Sequence, residues 1–323
     1  MKKTEFRWGI FGTGNMARLF AEGLKSAPGA KLAAVASRDS ERARLFAGNV
    51  GASKSFGSLE AMCADTDVDI IYIASPNHRH APDTKTAILA GKAVVCEKPF
   101  ALNAAEAESV IALARKKNVF LMEALWTEFL PSLKAFLNEV KKGSIGDPLL
   151  LQADFGFRTA FHAESRLFSP EQGGGSVYDI GIYPLYLSQQ LFGNPEKVNA
   201  VSVKAPTGVD MTTLVQMSFP QGKLASLASS FAMDLDTEAH LFGTEGKLVL
   251  HRMFHMPTRL TLHRGREVSE ISLPKETGNG YQYEAIAVME ALRQGFTECP
   301  DWNLSQTLNL TALIEKVLNS KAC

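Results

Sequence analysis

The stretch Trp8-Gly9-Ile10-Phe11-Gly12-Thr13-Gly14-Asn15-Met16-Ala17 decides how the first half of the chain is read. Residues 8–11 are an apolar run of strand length, and a helical pattern opens near Asn15. The turn between them, Gly12 to Ala17, has the form GxGxxA. The first glycine permits a tight turn and the second lets backbone approach a pyrophosphate closely. The small Ala17 lets helix and strand pack, while the helix N-terminus faces the anion. A glycine turn without a ligand is the plain alternative; the strand before it and the helix after it are the context that favours phosphate binding.

Working outward, the strand–helix rhythm continues through residue 122. Apolar runs at 31–37, 70–74, 93–97 and 119–122 alternate with helical patterns at 15–26, 40–47, 80–90 and 103–117. In the last of these Asn103 is placed to cap the N-terminus with Glu106 three residues on, and Arg115, Lys116 and Lys117 fill the final turn. Alternation of this kind predicts parallel βαβ units in a doubly wound α/β Rossmann sheet. Beyond about residue 125 the rhythm changes. Helical patterns at 132–142 and 177–191 are followed by strand candidates at 149–157, 198–204, 212–219, 224–230, 237–242, 247–251, 259–263 and 268–273, and helical patterns at 281–294 and 304–318 close the chain. This predicts an α+β domain on a large, mostly antiparallel sheet, with the division placed at 1–123 and 124–323.

A length of 323 residues agrees with two domains. Lysine plus arginine and aspartate plus glutamate number 34 each, so no basic excess exists for nucleic acid or an anionic membrane. The apolar runs fall far short of the roughly 18 residues of a membrane span, and no secretory signal is visible behind the charged start. Cys63, Cys96, Cys299 and Cys323 have unrelated spacings and read as reduced thiols of a cytoplasmic protein.

The second strand bears on which dinucleotide binds. An acidic residue at its end typically accepts from the ribose 2′-hydroxyl of NAD. Here the strand ends Ala36-Ser37-Arg38-Asp39, with Arg42 one turn on. Ser37 stands about where the acid would be, and Arg38 offers a planar donor array for a 2′-phosphate, which favours NADP. The competing reading makes Asp39 the ribose acceptor and Arg38 a surface charge.

Two further strand ends carry polar residues, and ligands of open α/β sheets bind outside the carboxyl ends of their strands. Cys96-Glu97-Lys98-Pro99 ends one, where a lysine can hydrogen-bond a substrate hydroxyl; a solvated lysine is the plain alternative. Ser75-Pro76-Asn77-His78-Arg79-His80 ends another and is placed to line the dinucleotide. His78 with His80, and His251 with His255, lack a cysteine or carboxylate set, so no metal is expected. In the second half, Gly173-Gly174-Gly175-Ser176-Val177-Tyr178-Asp179-Ile180-Gly181-Ile182-Tyr183-Pro184 stands out. The glycines suit close approach of backbone to another domain or a ligand, and Asp179 and Tyr183 share a face if the segment is α-helical. A tyrosine hydroxyl there can relay a proton. Alternatively, Ser176 and Asp179 form a capping box and Tyr183 is a core residue. Pro184 removes a helical hydrogen bond.

Taken together these segments resemble the glucose–fructose oxidoreductase/inositol dehydrogenase/MocA family. The resemblance rests on GxGxxA, Ala74-Ser75-Pro76-Asn77 with His80, Glu97-Lys98-Pro99, the glycine run with Asp179 and Tyr183, and Gly243-Thr244-Glu245-Gly246. Glu123-Ala124-Leu125-Trp126-Thr127, Arg166-Leu167-Phe168 and Asp179 to Pro184 are similar to its dimeric dihydrodiol dehydrogenase branch. The resemblance implies an NADP-dependent oxidoreductase (NAD being the second choice) acting on a secondary alcohol or carbonyl of a sugar, polyol or trans-dihydrodiol. It implies Lys98 and Tyr183 as the catalytic pair supported by Asp179, and a cis peptide before Pro99. It implies cofactor contacts from Gly12, Thr13, Gly14, Asn15, Met16, Ser37, Arg38, Arg42, Ser75, Pro76, Asn77, His80, Glu97, Lys98 and Trp126. Phe155 and Arg158 join Asp179 and Tyr183 as substrate contacts. A homodimer or homotetramer through the open face of the second sheet is also implied. Two rivals stand beside this reading: a non-catalytic NADP(H)-sensing regulator of the same fold, and a reductase of a dicarbonyl sugar.

Overall fold

The computed structural model describes residues 3–320. The chain forms two compact units, Met1–Phe129 with Glu276–Leu308, and Leu130–Lys275 with Asn309–Cys323. In the first, strands β1 (Phe6–Phe11), β2 (Ala30–Ala36), β3 (Lys54–Phe56), β4 (Ile70–Ile73), β5 (Ala93–Glu97) and β6 (Leu121–Ala124) alternate with helices α1 (Asn15–Leu24), α2 (Ser40–Val50), α3 (Leu59–Ala64), α4 (His80–Leu89) and α5 (Ala104–Lys117). The sheet is parallel throughout, in the order β3-β2-β1-β4-β5-β6. Chain progress reverses between β1 and β4, and their carboxyl ends form the switch point where doubly wound sheets take ligands.

Every residue of β4 is buried, as a strand covered by helices on both faces must be. Helix α1 buries Ala17, Phe20, Ala21 and Leu24, a stripe at helical spacing. Phe20 stacks on Tyr72 at 3.6 Å between ring centroids and meets the edge of Trp8 at 5.3 Å. The expected cap of α5 is present: Asn103 Oδ1 accepts from the Glu106 amide at 2.8 Å. The sequence pattern missed β3 and α3, which are too short for either periodicity to register.

The second unit contains α6 (Pro131–Lys141), β7 (Pro148–Gly156), a π turn (Val177–Gly181) running into α7 (Ile182–Phe192), then β8 (Lys197–Lys204), β9 (Asp210–Ser218), β10 (Leu224–Ser230), β11 (Ala239–Gly243), β12 (Lys247–Leu250), β13 (Leu260–Arg264) and β14 (Glu267–Glu270). Eight strands lie in the order β14-β13-β12-β11-β7-β10-β9-β8. Only the β7–β10 pair is parallel. Helices α6 and α7 pack on one face; the other carries exposed Val201, Val203 and Leu214.

The continuous division at residue 123 needs correction. Residues 276–308, comprising α8 (Tyr281–Arg293) and the start of α9 (Leu304–Leu318), pack with the first unit. The reason is local. The Leu121 amide donates to the Thr297 carbonyl at 3.0 Å along the outer edge of β6, and Trp302 is buried with its indole N–H on Glu123 at 3.1 Å. A return of this kind covers an otherwise open sheet edge.

Candidate functional site

At the switch point Gly12 has φ +125°, and a Cβ there would lie 2.4 Å from the Ala74 carbonyl oxygen, so the turn against β4 requires glycine. Gly14 is different. Its φ is −84°, open to any residue, and a Cβ would meet nothing within 4 Å. Nothing inside the protein demands glycine at 14, whereas a phosphate approaching the backbone does. Gly14 is also the N-cap of α1, contributes no side-chain cap, and precedes a first turn without an acidic residue, leaving the N-terminal amides for an anion. Asn15 and Met16 open that turn; the Asn15 side chain accepts from Arg18 at 2.9 Å.

The end of β2 bears on the choice left open at Asp39. Its carboxylate caps α2, accepting from the Glu41 and Arg42 amides at 3.0 and 3.1 Å. The Asp39 amide in turn donates to Ser37 Oγ at 3.3 Å, and Arg42 reaches Thr13 Oγ1 at 3.3 Å. Arg38 is exposed just beyond the strand. One end of the sheet thus gathers Thr13, Ser37, Arg38 and Arg42, with Asp39 Oδ1 engaged in a helix cap. Ser75 Oγ, at the end of β4, is buried with no hydrogen-bond partner among the described residues, a polar group that a cofactor would satisfy. These features fit a dinucleotide, and they fit one with a 2′-phosphate.

The loop after β5 holds Lys98 and a cis Lys98–Pro99 peptide. Glu97 is buried and accepts from the Tyr72 hydroxyl and, at 3.0 Å, from the Lys98 amide. His80 is 2% exposed, with Nδ1 2.7 Å from the Pro99 carbonyl and Nε2 2.8 Å from the Ser75 carbonyl. Burial holds its imidazole below the usual pKa, helped by the charge of Lys98 and opposed by the two carbonyls and Asp83. Glu97 and His80, both expected among the cofactor contacts, are buried against the loops that follow β4 and β5. Trp126 is likewise buried, stacked on Tyr281 at 4.2 Å.

In the second unit the glycine run approaches its own framework. A Cβ on Gly175, at φ +119°, would lie 2.2 Å from Asp210 Oδ1. Asp210 accepts from Ser176 Oγ at 2.6 Å and from the Val177 amide at 2.8 Å, and burial raises its pKa despite those bonds. The capping box alternative does not form, because Ser176 has helical backbone and gives its hydroxyl to Asp210. Asp179 sits in the π turn, bonded to Arg166 at 2.9 Å. Tyr183 sits in the first turn of α7, so the wider π turn alters the phase that a spacing of four has in an α-helix. Pro184 explains the widening: it has no N–H for the Ile180 carbonyl, and its ring needs room there. Tyr183 is 5% exposed and packs on Phe155 at 5.8 Å and on His255 at 4.9 Å between ring centroids. The sequence brought up His255 only as a possible metal ligand; its place against Tyr183, 72 residues away in the chain, has no sequence signal. The Arg158 amide donates to Asp234 at 3.0 Å, and its side chain is exposed. Cys63, Cys96 and Cys299 are buried and form no disulfide among the described residues, while Cys323 lies outside them. Among the described residues no group of three histidine, cysteine or carboxylate side chains is arranged to hold a metal.

A doubly wound sheet with a phosphate turn at its switch point, followed by a large open-faced sheet, defines the class of nicotinamide-dependent oxidoreductases with a separate substrate domain. The chain belongs to the GFO/IDH/MocA oxidoreductase family: residues 6–125 match its NAD-binding Rossmann fold and residues 136–249 its C-terminal domain. Its relatives include trans-1,2-dihydrobenzene-1,2-diol dehydrogenase from Mus musculus, 36% identical with 96% of this chain and 95% of that one covered. The Homo sapiens protein of the same name is 35% identical over the same shares. Among solved structures, aldose-aldose oxidoreductase from Caulobacter crescentus superposes with a TM-score of 0.90 at 24% identity, covering 98% and 97% of the two chains. A 3-ketoreductase from Actinomadura kijaniata, solved with NADP and TDP-benzene, gives 0.88 at 24% identity, covering 98% of each. At that identity the structural likeness speaks for the fold.

Proposed function

We propose that the protein is an NADP-dependent oxidoreductase acting on a secondary alcohol or carbonyl of a sugar, polyol or trans-dihydrodiol. The observation that carries the cofactor half of this reading is the commitment of Asp39 to the α2 cap beside exposed Arg38, with open space at Gly14. The substrate half is supported by the names of the relatives, which are dehydrogenases of a cyclic diol.

The bound nicotinamide supplies a hydride acceptor or donor; the rest is the work of the chain's own groups. Lys98 Nζ orients the substrate hydroxyl, and the Tyr183 hydroxyl carries its proton. Asp179 and Phe155 shape the ground around Tyr183. The protein acts in the cytoplasm as a homodimer, assembled through the open sheet face. There β8 and β9 place Val201 opposite Leu214, both exposed. Beside them lies a concavity of about 520 Å³ lined by Gln152, Asp154 and His240.

The test is steady-state turnover with NADP on a panel of aldoses, polyols and trans-dihydrodiols, for the native protein and for Lys98→Met and Tyr183→Phe. The native protein turns over, and each variant loses on the order of a hundredfold or more in kcat, the usual scale of a lost proton-transfer group. Native rates in both variants would remove these assignments.

A further inference from the structure

Lys98-Pro99-Phe100 leaves β5 with each of its peptide units held by a buried ionisable side chain. The Lys98 amide donates to Glu97 Oε2 at 3.0 Å. Pro99 has no N–H, and its carbonyl lies 2.7 Å from His80 Nδ1. The Phe100 amide donates to Glu123 Oε1 at 3.1 Å. The three clamping residues come from different elements, the end of β5, the start of α4 and β6, and they are 4%, 2% and 1% exposed.

Each clamp is itself braced. The Tyr72 hydroxyl donates to Glu97. The Trp302 indole donates to Glu123 Oε2 at 3.1 Å. His80 Nε2 lies 2.8 Å from the Ser75 carbonyl, so the ring stands between the loop after β4 and the loop after β5. Burying a carboxyl costs free energy that a shape-filling apolar residue would not, and burial raises the pKa of Glu123 to about 7. That cost fits a need for direction: Glu123 offers two acceptors, one to the Phe100 amide and one to the Trp302 indole, and the His80 imidazole lies between the Ser75 and Pro99 carbonyls, where the single N–H of its neutral form donates to one of them.

We propose that His80 and Glu123 are positioning residues for the Lys98 ammonium group, acting through the backbone of Lys98-Pro99-Phe100. The proposal rests on the reading of Lys98 as the group that orients the substrate hydroxyl. A lysine on a flexible four-carbon stem has its reach set by where its Cα is held, and a misplacement of about 1 Å costs on the order of a hundredfold in rate.

The experiment measures kcat and KM for His80→Ala, Glu123→Ala and the size-conserving His80→Gln and Glu123→Gln, in native and Lys98→Met backgrounds. Thermal unfolding and NADP titration by fluorescence accompany each. In the native background the alanine variants lose about tenfold to a hundredfold in kcat, with KM for NADP changed by less than about threefold, and the glutamine variants recover part of the loss. In the Lys98→Met background the same substitutions produce no further fall in kcat, because the group they position is gone. If an alanine variant fails to fold, its glutamine counterpart alone decides the matter through the same background comparison. Native kcat in folded His80 and Glu123 variants would overturn the proposal, and so would an equal fall in both backgrounds. Native turnover in Lys98→Met alone would instead overturn the reading of Lys98, so the two failures are distinguishable.

Discussion

At the residue scale, small commitments of one side chain decide what its neighbour is left to do. Asp39 is the instance that matters most for cofactor choice. As a helix cap its Oδ1 accepts from two amides, so an acidic residue near the ribose position has a structural task of its own. On the proposed reading, exposed Arg38 sets the preference. Arg38→Ala is expected to raise KM for NADP by roughly tenfold or more while leaving KM for NAD nearly unchanged, since a hydrogen bond to a charged group contributes about 1.5–3 kcal/mol. Steady-state titration of both dinucleotides checks this, and an unaltered NADP/NAD ratio would return Arg38 to the status of a surface charge. The glycine turn was legible because its spacing lies within one short segment, Gly12 to Ala17, even though the contact that requires Gly12 is with Ala74. The roles of His80 and Glu123 were not. Their partners Pro99 and Trp302 lie 19 and 179 residues away, and no spacing rule links them.

At the scale of elements, short-range patterns were readable wherever one helix or strand explains itself. The Asn103 cap and the basic last turn of α5 follow from the sequence and are present. The Ser176 box is equally plausible locally, but Asp210, 34 residues on, competes successfully for the hydroxyl, and Pro184 turns the expected helix into a π turn followed by α7. Helix α8 carries a different kind of conflict. Glu284 is fully buried, neither carboxyl oxygen has a hydrogen-bond partner among the described residues, and burial together with Glu97 raises its pKa well above the ordinary value. A raised carboxyl pKa means that the fold favours the protonated form, so stability is lost as pH rises from the unfolded value through the folded one. Glu284→Met, of similar volume, is expected to stabilise the protein by about 1–3 kcal/mol near neutral pH, a rise of several degrees in Tm, with a flatter dependence on alkaline pH. Thermal unfolding across a pH series measures both. A lower Tm would show that the carboxyl is satisfied in a way these contacts do not reveal.

At the scale of the whole molecule, the strand–helix alternation predicted the parallel sheet, and the later run of strand candidates predicted the second one. What sequence order concealed was the return of residues 276–308 to the first unit. The signal for it is an open edge at β6 and a buried Trp302, both visible only once the sheet is built. The exposed face of the eight-stranded sheet is where assembly is expected. Light scattering should give twice the 35.1 kDa chain mass for the native protein and the single mass for Leu214→Lys, because a buried unpaired ammonium disfavours association strongly. A native monomer would exclude the open face as a dimer interface. The balanced total charge fits the proposed reading, in which the functional cations are a few placed groups, Arg38 at one strand end and Lys98 at another.

The central claim is that this fold performs hydride chemistry on alcohols and carbonyls rather than sensing a dinucleotide. The most direct measurement is nicotinamide absorbance during incubation of the native protein with NADP and the panel of aldoses, polyols and trans-dihydrodiols. The account predicts steady, enzyme-dependent reduction of NADP with at least one member of that panel. Tight NADP binding with no turnover on any alcohol, nor on the matching carbonyls with NADPH, would contradict it and leave the sensing role in its place.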